Sequence, residues 1–391
     1  MADGGRIGTL DPDDMIAAAR LATGLQEFGA PDVRAPLQVL VDSLNKEANL
    51  TPAGEAGRRA ALVRALSNRL RLNAAIERDP DIEHEVIVRP IVVVGLPRSG
   101  TTKLQRVLAA DPGLQKLPLW RLLEPVSSQP SSRGEVDPRF QRAEAYVAKL
   151  REGAPAMYAA HPMYATEADE EVFVMELAFL ANINATAYRA PTLHEWLRGQ
   201  SYESWYIWFK RLLQCVQRED RSAGRPWVLK APHHMGFLPL LFRYFPDALV
   251  CHTHRDPAIA VSSFAALAQA ARSANQFTAD PRETGRYCLE YSAERVRTYV
   301  RDREALGRDA QFVDLAYRDV VSDVAGVAGR IYTAAGLELT RSALDAMHAW
   351  EREHAQHKHG RGRYTLEEFG LTRSEVESEF SEYSARFGRY F

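Results

Sequence analysis

The densest chemistry in the sequence lies at Gly95-Leu96-Pro97-Arg98-Ser99-Gly100-Thr101-Thr102. Two glycines followed by a hydroxyl pair give the G-x-x-x-x-G spacing of a phosphate-binding loop, but Thr101 stands where a nucleotide triphosphatase carries its lysine. A turn of this kind feeding a helix presents backbone N–H groups and the positive end of the helix dipole to an anion. Arg98, inside the loop, supplies the charge that the missing lysine would have brought. The alternative is a plain strand-to-helix turn, which the paired glycines and hydroxyls disfavour.

Other reactive groups are more scattered. His252 and His254 would share one face of a strand beside Cys251, and His354, His357 and His359 gather late in the chain. The sequence shows no third ligand for the first pair, so no metal is expected. His161, Glu170 and Glu171 in HPMYATEADEEVF are able to reach a cleft, but acids on one helical stretch read more readily as a solvated face. The aromatic run Trp196, Tyr202, Trp205, Tyr206, Trp208 and Phe209 offers an apolar wall for a small molecule, with about half of it expected in the core.

Placing the loop requires a sheet. From Ile87 the sequence VIVRPIVVVG gives a β-branched run ending in glycine, and a helix-compatible stretch follows from Thr101 to Ala110. Further short strands are expected at Trp227-Val228-Leu229, at Ala248 to Thr253 and at Gln311 to Leu315, with helical stretches between them. That alternation predicts an α/β fold: a P-loop-type, doubly wound parallel sheet flanked by helices, with helical N-terminal and middle additions. Residues 1–85 read as an N-terminal helical extension, in which Thr51-Pro52 caps and opens a helix. Residues 86–391 read as the α/β domain, with a helical insertion at about 137–220.

At 391 residues, 46% hydrophobic and 26% charged, the chain has enough apolar content for a large core, which excludes disordered and fibrous classes. With 49 basic and 51 acidic residues the formal charge is -2, so nothing draws the chain as a whole onto nucleic acid or an anionic membrane. Any polyanion site is local. Three scattered cysteines make no disulfide frame, the first residues lack a secretory apolar core, and no apolar run approaches the roughly 18 residues of a membrane span. A cytoplasmic protein is expected, and a homo-oligomer is compatible with the sequence.

The stretch IVVVGLPRSGTT resembles the 5′-phosphosulfate loop of sulfotransferases that use 3′-phosphoadenosine 5′-phosphosulfate (PAPS), in the broad bacterial branch whose loop reads G-x-P-R-S/T-G-T-T. A second segment, Arg255-Asp256-Pro257 through Ser263, is similar to the family's 3′-phosphate site, which implies that Arg255 and Ser263 bind that phosphate. WVLKAPHH, FPDA, YTLEEFGL and FSEYSARF extend the likeness over most of residues 90–391. The resemblance implies PAPS as donor, no metal, a small and lipophilic hydroxyl acceptor, and donor contacts from Pro97, Arg98, Ser99, Gly100, Thr101, Thr102 and Lys103. Lys103 replaces the aromatic that many cytosolic relatives stack on adenine. The family's late basic stretch is represented by the segment containing Arg361 and Arg363. For catalysis the resemblance implies Arg98 at the leaving phosphate, Lys230 at the sulfuryl oxygens, and either His233 or a carboxylate such as Glu124 as general base. Two other readings stay open: a P-loop small-molecule kinase using ATP, Mg²⁺ and Asp314, and a nucleotide-binding protein without turnover.

Overall fold

The β-branched run ahead of the loop forms strand β1 (Ile91–Gly95) in a computed structural model that describes residues 8–127, 136–354 and 364–391. The strand starts later than Ile87 because Pro90 has no N–H to pair and Arg89 takes a left-handed conformation, φ 41°. Four further strands complete the described sheet: β2 (Gln115–Lys116), β3 (Trp227–Lys230), β4 (Leu249–His254) and β5 (Phe312–Ala316). All pairings are parallel, in the order β2-β3-β1-β4-β5. β1 therefore lies between β3 and β4, and the loop leaves its C-terminal end where open parallel sheets place their ligands. The fold is the expected α/β class. β2 was not anticipated, since two residues carry no period; its partners are Trp227 and Val228.

Alternate residues of the strands feed two apolar layers. Val92, Val94, Leu229 and Val250 face one, while Ile91, Val93, Val228 and Cys251 face the other. The first layer is continuous with the N-terminal helices Pro12–Thr23, Arg34–Glu47 and Pro52–Arg78. Thr51 caps the third of these as expected, its hydroxyl accepting from Gly54 N at 3.0 Å. Arg69 on that helix lies over the Trp208 ring at 3.7 Å and donates to the carbonyls of Phe28, Gly29 and Pro31. The region 137–220 is helical as expected, but in short pieces before the long helix Glu203–Asp220. On that helix Trp205, Tyr206, Trp208 and Phe209 are fully buried, so the aromatic run is mainly core.

Candidate functional site

Gly95 ends β1 against the neighbouring strand so closely that a Cβ would come within 2.5 Å of both Ser99 Oγ and Thr253 Oγ1. The chain then turns back on itself. Ser99 N–H and Oγ both donate to Leu96 O, at 3.1 and 2.7 Å, and Ser99 Oγ lies 2.9 Å from Thr253 Oγ1. The Ser99 amide is therefore spent inside the turn and is not aimed at a ligand as expected. Arg98 and Gly100 adopt positive φ, 73° and 91°, and helix Thr101–Leu108 follows directly, its first amides having no partner within the helix. Gly100 is needed for its φ and because its Cα abuts the Tyr317 ring.

Arg98 donates from Nε to Ser263 Oγ at 3.1 Å and from Nη1 to Ala160 O at 2.7 Å. Arg255, just beyond β4, donates from Nη1 to the Arg98 carbonyl at 2.7 Å and lies over the Tyr317 ring at 4.1 Å. Loop arginine, strand-end arginine and helix serine thus touch in one chain of contacts. Burial, then the charge of Arg255, lowers the pKa of Arg98. Lys103 points elsewhere: its ammonium pairs with Glu351 at 2.7 Å and donates to Val321 O at 2.8 Å. Arg361 and Arg363, with His357 and His359, lie outside the described residues.

Lys230, at the end of β3, has a fully buried side chain that pairs with Glu170 and donates to Thr102 Oγ1 at 3.1 Å. Its backbone N–H donates to Glu171 Oε1 at 2.6 Å. The acids read as a solvated face are instead packed against the loop. Asp169 is buried; burial raises its pKa, but the hydrogen bond from His161 and the charge of Arg106 prevail and hold it low. Burial pushes Glu171 up to about 8. Glu170 keeps 21% of its side chain exposed. Its signal in the sequence was the run Asp169-Glu170-Glu171 leading straight into apolar Val172 to Met175: three consecutive acids cannot all face water there.

His233 sits on the turn Pro232–Gly236 after β3, buried, with Nδ1 lacking any hydrogen-bond partner. Burial, then the charge of Arg295, lowers its pKa to about 3, so it is neutral at physiological pH. His234 faces the core, hydrogen-bonded to the Tyr206 hydroxyl at 2.8 Å and stacked on Trp205. Glu124 is not brought to the loop: Arg142 binds its carboxylate bidentately, at 2.7 and 2.6 Å. On β4, His254 lies 2.9 Å from Asp314, and the His252–His254–Asp314 ligand atoms come within 4.8 Å of one another. Asp314 is the third group that the sequence lacked. It already accepts two hydrogen bonds from Arg303, 2.7 and 2.9 Å long, and that charge opposes a cation.

Residues 90–341 match the family described as Sulfotransferase family. Among solved structures, the chain is similar to sulfotransferase STF1 from Mycobacterium tuberculosis H37Rv, with 30% identity and a TM-score of 0.84, over 97% of this chain and 100% of that one. It is also similar to sulfotransferase STF9 from Mycobacterium avium, with 28% identity and a TM-score of 0.86, over 99% and 98% of the two chains. No curated protein sequence matches it. A family match that takes in every described strand, on a fold shared nearly end to end with two mycobacterial sulfotransferases, makes this chain a member of the sulfotransferase family.

Proposed function

We propose that the protein transfers a sulfuryl group from PAPS to a hydroxyl of a small, lipophilic acceptor. The observation that carries this reading is the contact between Arg255 and the loop at Arg98, with Ser263 beside them. Neither guanidinium has a carboxylate partner among the described residues, so the fold holds two adjacent positive charges that a bound polyanion would neutralise. PAPS supplies two phosphate groups for such a site and, when bound, the activated sulfuryl group. The loop from Gly95 to Thr102 and the free amides of the following helix would hold its 5′ end, and Arg255 with Ser263 its 3′-phosphate. A Cβ at Gly95 would collide with Ser99 and Thr253, so glycine there is what lets the loop keep its turn.

By analogy with phosphoryl transfer, positioning and charge stabilisation dominate such a reaction. Arg98 and Lys230 both present cations at the loop, and the burial of Lys230 strengthens its field. Two groups are placed to take the acceptor proton. Glu170 pairs with Lys230, which also donates to Thr102 of the loop. His233 is neutral and has a free Nδ1, but its low pKa weakens it as a base. In this reading residues 86–391 carry the donor machinery, while residues 1–85 and the helices of 137–220 shape the acceptor side. No helix of the described residues is long and apolar enough to cross a membrane, and the three cysteines are buried and unpaired, in keeping with a cytoplasmic enzyme.

Calorimetric titration with adenosine 3′,5′-bisphosphate, alongside transfer from labelled PAPS to sterols, phenols and glycolipids, tests the reading. Failure to bind the bisphosphate overturns the donor assignment. Mg²⁺-dependent turnover of ATP would favour a kinase instead, although its metal carboxylate, Asp314, is held by Arg303 and His254. Nucleotide binding without transfer would point to a non-catalytic protein.

A further inference from the structure

Every buried arginine but one is engaged by a carboxylate or by several backbone carbonyls among the described residues. Arg58 pairs with Glu176 at 2.9 Å and Arg303 with Asp314 at 2.7 Å, while Arg272 donates to the carbonyls of Thr186 and Ala185. Arg295, on helix Pro281–Leu306, is the exception. It is 7% exposed, its Nε is enclosed without a hydrogen-bond partner, and no described carboxylate forms an ion pair with it. Its guanidinium lies against rings instead, 4.9 Å from the centre of Phe237 and 5.3 Å from that of Tyr291, and hydrogen-bonds the neutral Tyr202 hydroxyl. Ring faces attract a cation but do not neutralise it, and a buried charge without a counter-ion is costly.

The position of this charge ties it to the acceptor. Arg295 packs on the turn that carries His233, so tightly that a Cβ at Gly236 would collide with its Nη1. Tyr291, which it also touches, stands edge-on to His233 at 6.2 Å. None of its contacts is with the loop 95–102, whose anion is already matched by Arg98 and Arg255. A charge left without a counter-ion among the described residues, beside a candidate base and lined by aromatic rings, is complementary to an anionic group on a partly apolar ligand.

We propose that Arg295 is an acceptor-recognition residue, and that the hydroxyl acceptor bears an anionic group, which pairs with Arg295 while its apolar body lies on Phe237 and Tyr291. This rests on the acceptor side assigned under the proposed function. The test uses the full chain and equilibrium binding, with and without adenosine 3′,5′-bisphosphate. The probes are 3-(4-hydroxyphenyl)propanoate, its methyl ester, and the phosphonate in which the carboxylate is replaced. The anions are expected to bind about 10- to 100-fold more tightly than the ester, the range of charge-assisted hydrogen bonds. Preference for carboxylate over phosphonate, or the reverse, identifies the anion. In Arg295→Met the preference should vanish while ester binding persists, which also shows that the variant is folded. Equal binding of acid and ester, or an acid preference that survives Arg295→Met, overturns the proposal. Loss of bisphosphate binding alone would instead sink the donor assignment, because the acid–ester comparison is also read without nucleotide.

Discussion

A methyl group added at Gly95 would meet Thr253 O at 2.7 Å as well as two hydroxyls at 2.5 Å, and backbone cannot move aside as a flexible side chain can. Gly95→Ala is therefore expected to abolish binding of adenosine 3′,5′-bisphosphate in calorimetry. For the two arginines the expectations differ. Arg98→Ala should lower kcat about 100- to 1000-fold with a smaller change in donor affinity, because its charge acts most as the leaving group develops. Arg255→Ala should weaken donor binding about 10- to 100-fold and change kcat less. Identical kinetic effects of the two variants would contradict this division of labour. Glu170→Gln and His233→Ala separate the two candidate bases: the true base, once removed, should cost at least about 100-fold in kcat and flatten the acid limb of the pH–rate profile. The loop, Arg255 and Ser263 were singled out through short local patterns like those of the family, and the fold brings the three into contact. Glu170 and Arg295 were not, since what matters about them is a neighbour far away in sequence; Lys230 reaches Glu170 across 60 positions.

At the scale of elements, β1, β3, β4 and β5 were readable because each is a short β-branched or apolar run between helical stretches. β2 exists only because Trp227 and Val228 offer it an edge. The turn Pro232–Gly236 shows why histidines are hard to assign from spacing: adjacent residues point one ring at Tyr206 and set the other edge-on to Tyr291, each keeping one nitrogen without a partner. Glu171 provides a test of the β3 edge. Its folded pKa, about 8, stands above the ordinary value of 4.5, so the folded chain holds a proton that the unfolded chain releases between those values, and stability falls as pH rises through that window. Glu171→Gln, which keeps the oxygen that accepts from Lys230 N, should have little effect at pH 5 and raise the urea midpoint at pH 8.5. An equal effect at both values would show that the carboxyl is not protonated in the fold.

For the molecule as a whole, His233 and His234 act in the opposite sense. Both are held near 3, chiefly by burial, against an ordinary value of 6.5. Between those values the unfolded chain binds protons that the folded chain refuses, so this stability is complete above pH 6.5 and is lost as pH falls toward 3. Asp314, kept low by His254 and Arg303 in spite of its burial, adds to the loss at the acid end. In Glu171→Gln, which removes the opposing carboxyl, denaturant midpoints should fall from pH 6.5 to pH 4, and a flat profile there would contradict the burial of the two imidazoles. The global arrangement was legible as far as the α/β sheet and its helical additions. What the sequence did not disclose is how the last residues close the back of the sheet. Tyr383 hydrogen-bonds His254 at 2.7 Å, Tyr390 stacks on the same imidazole at 5.0 Å, and Arg318 donates to Phe391 O at 3.0 Å. Because His254 immediately precedes Arg255, a protease that trimmed Ser381–Phe391 would unclamp the donor-binding arginine from behind, and nucleotide affinity would decay although every residue that touches the nucleotide was still present.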